Sequence, residues 1–112
     1  MNVSYEGIGY LAVTMPADGC YVGDICGLST EGAATICSAG SQFIGVVEAM
    51  EGDYAAVQVE GVVKVFYSGN TPLLGYSKLS ANGVGGVRAD SQGREYLVLE
   101  VDQAESKVTI KL

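Results

Sequence analysis

Phe43-Ile44-Gly45-Val46-Val47-Glu48-Ala49-Met50 is followed by Glu51-Gly52-Asp53 and then by Tyr54-Ala55-Ala56-Val57-Gln58-Val59. Two short apolar runs stand either side of a polar separator that contains a glycine. Each run is rich in residues that suit pleated backbone, and each is bounded by turn residues rather than by helix caps. The separator therefore reads as a hairpin turn. In the second run Val57 and Val59 alternate with Gln58 and Glu60, the period of a strand with one dry and one wet face.

Outward from this hairpin the same grammar recurs in both directions. Short apolar runs cover residues 8–15, 21–28, 33–37, 43–50, 54–59, 62–67, 73–79, 86–90, 96–101 and 107–112. No long amphipathic helix interrupts them. The final run alternates cleanly, setting Val108, Ile110 and Leu112 on one face against Lys107, Thr109 and Lys111 on the other. Ala81-Asn82-Gly83 supplies Asn-Gly, whose residues tolerate positive φ and mark a further hairpin. Ser68-Gly69-Asn70-Thr71-Pro72 and Ser91-Gln92-Gly93 are additional breaks. The expectation is an all-β chain forming a single small β-barrel or sandwich of about ten short strands.

A weak internal repeat runs through these strands. Val22-Gly23, Leu28-Ser29 with Gly32, residues 43–47 and residues 57–59 form one series. Leu74-Gly75, Leu79-Ser80 with Gly83, residues 96–101 and residues 108–110 form the other. The offset is about 52 residues, a period worth testing for duplicated units. Two related halves closing on each other are one reading; a chance match between glycine-rich strand series is its rival.

Composition narrows the function classes. The chain has 112 residues, room for one domain with a real core. Six basic residues oppose thirteen acidic ones, so nucleic-acid binding, which needs a basic stripe, is not expected. No apolar run is long enough to span a membrane as a helix, and a secretory signal is not expected from the first residues, which lack a basic and then a long apolar stretch. Cys20, Cys26 and Cys37 are odd in number and loosely spaced, which fits reduced thiols in a cytoplasmic setting.

The search for chemistry is short. The chain contains no histidine, so no Ser-His or Cys-His pair is available, and three cysteines make a poor zinc site. Gly83, Gly85 and Gly86 lack the spacing of a phosphate loop. Glu51 with Asp53, and Glu100 with Asp102, read as solvated carboxylates rather than a glycosidase pair or a calcium site. Asp18, Asp24 and Glu31 surround the thiols with negative charge, which disfavours a reactive thiolate. Tyr5, Tyr10, Tyr54, Tyr67, Tyr76 and Tyr96 fit barrel ends or a partly wet contact. No enzyme activity, metal or cofactor is expected.

Tyr21-Val22-Gly23-Asp24, then Phe43-Ile44-Gly45-Val46-Val47, then Val57-Gln58-Val59-Glu60-Gly61-Val62-Val63 stand in a suggestive order. This order resembles the small capsid decoration, or cement, proteins of tailed bacteriophages and their prophage relatives. Gly75-Tyr76-Ser77-Lys78-Leu79 and Gly93-Arg94-Glu95-Tyr96-Leu97-Val98 are similar to the C-terminal part of that family, so the resemblance covers about residues 20–112. It implies a β-barrel-like domain over residues 10–112 that binds the exterior of an assembled phage head, with an arm over residues 1–9. It also implies a major-capsid-protein lattice as partner, a homotrimer, and a virion location after synthesis in the host cytoplasm. Capsid or subunit contacts are then expected at Val3, Tyr5, Ile8 and Tyr10. Two other functions remain open: another phage structural part such as a tail or baseplate accessory, and a small carbohydrate- or ligand-binding β module.

Overall fold

The computed structural model describes residues 9–112, and these contain ten strands and no helix. In chain order they are β1 (Leu11–Asp18), β2 (Ile25–Leu28), β3 (Ala34–Ile36), β4 (Gly45–Glu51), β5 (Tyr54–Glu60), β6 (Val62–Ser68), β7 (Gly75–Ala81), β8 (Val87–Ala89), β9 (Arg94–Asp102) and β10 (Lys107–Lys111). Each of the ten apolar runs read from the sequence contains or overlaps one strand. The expected all-β class with short strands is what the chain adopts.

The strands close into two rings of five. The first runs β1-β3-β2-β4-β5 and returns from β5 to β1; the second runs β6-β8-β7-β9-β10 and returns from β10 to β6. The order is the same in both, including the parallel pair at the ring seam, β1 with β3 and β6 with β8. Closure leaves neither sheet with a long free edge, which removes the usual template for edge-to-edge aggregation.

Register fixes how the halves correspond. Val57 lies between Val13 and Val47, and Ile110 lies between Val63 and Val98 in the same way. Leu28 faces Ala34 as Ala81 faces Val87, so the partner of Leu28 in the repeat is Ala81, two residues beyond the Leu79 suggested by sequence. The loops that follow are equivalent too. Ser29 Oγ accepts from the Ala33 amide at 3.0 Å, and Asn82 Oδ1 accepts from the Gly86 amide at 3.0 Å. Asn82 thus organises a five-residue loop instead of a two-residue turn.

The expected alternation of β10 fails at Thr109, which is buried. Its cross-strand neighbours are Lys64 and Glu100, and the pairing with β9 shifts register between Thr109 and Ile110. The short threonine sits between two long side chains at an irregularity, so its face is covered although it points away from the ring interior.

The two interiors differ in size. Cys20, Cys26, Ala34, Val47, Ala55 and Val57 fill the first ring. A larger cluster, with Leu79, Val98, Val108 and Ile110, fills the second and extends to Ile25, Cys37, Phe43 and Val46 of the first half. Phe43 stacks on Tyr96 with ring centroids 4.9 Å apart, directly across the junction. Backbone bonds cross it as well: Ile25 N–H to Gly85 O at 2.9 Å, Gly40 N–H to Ala81 O at 2.9 Å and Ala81 N–H to Ser41 O at 3.0 Å. The larger cluster is therefore shared by the two halves, while the smaller one belongs to the first ring alone.

Candidate functional site

The connections between the first two strands of each ring carry the most prominent apolar groups. Tyr21 and Val22 lie between β1 and β2; Leu73 and Leu74 lie between β6 and β7. Tyr21 is 74% exposed and Leu73 76%. Each pair directly precedes a glycine with positive φ, Gly23 at 93° and Gly75 at 90°, a conformation that glycine adopts without steric cost. Both members of each pair are exposed.

Both tips are braced. Asp24 Oδ2 accepts from the Tyr21 amide at 2.9 Å, and the Asp24 amide donates to Tyr21 O at 3.0 Å. In the second half Ser77 Oγ donates to Leu73 O at 2.8 Å. Val84, 79% exposed, joins the Tyr21 tip, because the neighbouring Gly85 carbonyl is bonded to Ile25. A backbone already fixed in these turns has little freedom left to lose when a partner covers them, so the arrangement suits docking.

Beside Leu73 and the exposed Tyr76 runs an open groove of about 580 Å³, whose walls include Asn70, Ser77, Lys78 and Asp90. The Gln92 amide, followed by the Ser80 hydroxyl and Arg88, holds the Asp90 carboxyl below its ordinary range. Ser80 Oγ donates to Asp90 Oδ2 at 2.7 Å, and Arg88 lies 3.7 Å from the same oxygen. The carboxylate is thus committed to the protein's own donors.

Of the contact residues expected from sequence, Val3, Tyr5 and Ile8 lie outside the described residues. Tyr10 is exposed, and its hydroxyl donates to Glu48 Oε2. The tyrosines divide by place: Tyr67 and Tyr96 are core residues, whereas Tyr10, Tyr54 and Tyr76 are exposed. Tyr21, Leu73 and Leu74 escaped the sequence reading because they abut strands and were absorbed into apolar runs. The signal for them is two consecutive large apolar residues against a turn glycine, which a period of two cannot bury together.

The thiols are core groups. Cys20, Cys26 and Cys37 are all buried and free. Burial raises each of them, and it pushes Cys26 up to about 12 from an ordinary 9.0. The unfolded chain loses these protons near its ordinary value while the folded chain keeps them, so stability falls as pH rises above about 9. From Cys26 alone, unfolding at pH 10.5 is expected to cost about 2 kcal/mol less than at neutral pH. Urea titrations of the wild type and Cys26→Ala at the two pH values check this, and the difference between the pH values should be smaller in the variant by about 2 kcal/mol. Among the described residues no group of three or more His, Cys, Asp or Glu side chains is placed to hold a metal ion. No helix among them is long and apolar enough to cross a membrane.

Comparison with known protein families, with curated proteins and with solved structures finds no match to this chain.

Proposed function

We propose that this chain is a non-enzymatic structural protein that binds the outer surface of an assembled phage capsid, grouped there as trimers, and stabilises the shell. The observation that carries this reading is the paired display of exposed apolar tips, Tyr21-Val22 and Leu73-Leu74, at equivalent places of a duplicated ring. One chain then offers two braced apolar contacts, and each trimer would offer six, so a modest contact gains strength through repetition on a lattice. The motif order that resembles phage decoration proteins points the same way, and two closed rings joined through a shared apolar cluster suit a part that must survive strain.

Co-sedimentation with assembled heads tests the reading. Wild-type protein should pellet with heads in a saturable way, and Tyr21→Ser with Leu73→Ser should weaken that binding about tenfold or more. Both sites are exposed, so the variant should unfold at nearly the wild-type urea concentration. Binding to isolated tails but not heads would favour a tail or baseplate accessory. The groove beside Tyr76 favours a different second reading, a carbohydrate-binding module. Saturable glycan binding removed by Tyr76→Ala would support that reading against the first.

A further inference from the structure

The duplicated rings carry an internal comparison of one surface. Register matches the outer face of β1, β5 and β4 with that of β6, β10 and β9, including an irregularity at the equivalent place in each. Thr14, Ala56 and Ala49 form one row of the first face, and Lys64, Thr109 and Glu100 form the equivalent row of the second. The next row is Pro16, Tyr54 and Glu51 in the first ring and Phe66, Lys107 and Asp102 in the second. The second face is covered by its own long side chains and balances its own charge. Lys64 and Glu100 flank Thr109, which is 3% exposed. Lys107 stands opposite Asp102, with its Nζ 4.9 Å from the Phe66 ring centroid.

The first face keeps the carboxylate and lacks both lysines. Glu51 stands where Asp102 does, with Tyr54 in place of Lys107 and Thr14 in place of Lys64. Where the second ring is covered, the first has an open groove of about 380 Å³ lined by Thr14, Ala49, Met50, Tyr54 and Ala56, with Glu51 at its rim. Ala56 is only half-buried, although Thr109 at the equivalent place is buried. The exposed Asp53 lies in the adjoining turn, and its carbonyl accepts from the Ala17 amide at 2.8 Å, which sets the exposed Asp18 beside it. No cation answers these acids. Residues 1–60 hold eight acidic residues and no basic one, none of the chain's six basic residues lines the groove, and among the described residues Asp18, Glu51 and Asp53 make no ion pair.

We propose that this groove binds a lysine- or arginine-bearing segment of another protein, whose basic side chains take the places that Lys64 and Lys107 hold in the second ring. Their aliphatic stems cover Ala49 and Ala56, and their charged heads reach Glu51 and Asp53. Tyr54 offers its ring to a cation at the same edge. The second ring shows which side chains cover this surface when the chain supplies them itself, and in the first ring the cover must come from outside. The Lys64–Lys107 face of a second copy does not serve, because Glu100 and Asp102 already balance those lysines. The groove is separate from the exposed tips and the proposal does not rest on the capsid reading, so loss of head binding and loss of segment binding are separate results.

Fluorescence anisotropy of a labelled, alternating lysine–alanine peptide, titrated with the full-length chain in about 20 mM NaCl, tests it. Saturable binding is expected, and serine–alanine and glutamate–alanine peptides should not bind. E51K/D53K should weaken the binding about tenfold or more. E31K/E105K makes an equal change of net charge at exposed positions away from the groove, and should weaken it by less than about threefold. Thr14→Lys gives the first ring the cover of the second. It should weaken binding about tenfold, more than E31K/E105K does despite the smaller change of charge. All these positions are exposed, so circular dichroism and urea unfolding should match the wild type. No saturable binding of the lysine–alanine peptide overturns the proposal. So does binding that the serine–alanine peptide equals, or that E31K/E105K weakens as much as E51K/D53K.

Discussion

Replacing Gly45 by alanine is expected to destabilise the protein by about 3 kcal/mol, a large fraction of the stability of a domain this size. A Cβ at this position would stand 2.0 Å from the Gln58 carbonyl oxygen, 2.9 Å from its carbon and 3.1 Å from Val57 Cγ1. Two of those atoms are backbone of β5, which cannot swing aside as a side chain would. Because β4 is bonded to β2 through Cys26 and to β5 through Val46, relief requires separating strands on one side or the other. The first ring is poorly placed to absorb this, since its interior is made of cysteines, alanines and valines. Gly52→Ala is the control. Its Cβ would meet nothing within 4 Å, and only the positive φ of 58° opposes it, at about 1 kcal/mol. Urea unfolding of both variants gives the comparison. Equal losses at the two positions would mean that the approach of β4 to β5 is not as tight as described.

Phe43→Ala is expected to remove about 3–5 kcal/mol, the usual cost of truncating a buried phenylalanine. Phe43 belongs to the first half, yet it packs in the cluster that fills the second, where its ring lies nearly parallel to that of Tyr96 at 12°. Arg94 lies over the Tyr96 ring with its guanidinium carbon 5.2 Å from the centroid, so the stack is capped rather than open. Since the core crosses the junction, the wild type should unfold in one cooperative step seen alike by tyrosine fluorescence and circular dichroism. A double-mutant cycle of Phe43→Leu with Tyr96→Leu should report a coupling of about 1 kcal/mol. Two separated transitions in the wild type, with Phe43→Ala moving only one, would mean that the rings stand independently.

Local chemistry made much of this fold legible. Strand positions followed from apolar runs, and the Glu51-Gly52-Asp53 turn from its glycine, because both depend on neighbours in the chain. Pairing was not legible, since β1 with β3 and β6 with β8 join parallel strands across intervening segments, and no single residue announces that choice. Repeat matching from sequence came within two residues of the register at Leu28, where a leucine attracts a match that strand pairing assigns to an alanine. Thr109 was misplaced because alternation describes an ideal strand and says nothing of the long neighbours that cover one residue. Gly45 reads as an ordinary strand glycine until the β5 backbone is seen against it. The surface was the least legible part. Net charge hid its division between the halves, and strand-like runs hid the exposed tips.

The central claim is that this protein recognises an assembled lattice rather than a single partner. The most direct test is sedimentation of the purified chain with intact phage heads and, in parallel, with the same capsid protein dissociated to subunits. Saturable binding to heads, with a fixed number of copies per head and little binding to free subunits, is the predicted result. Equal binding to both forms, or none to intact heads, would contradict it.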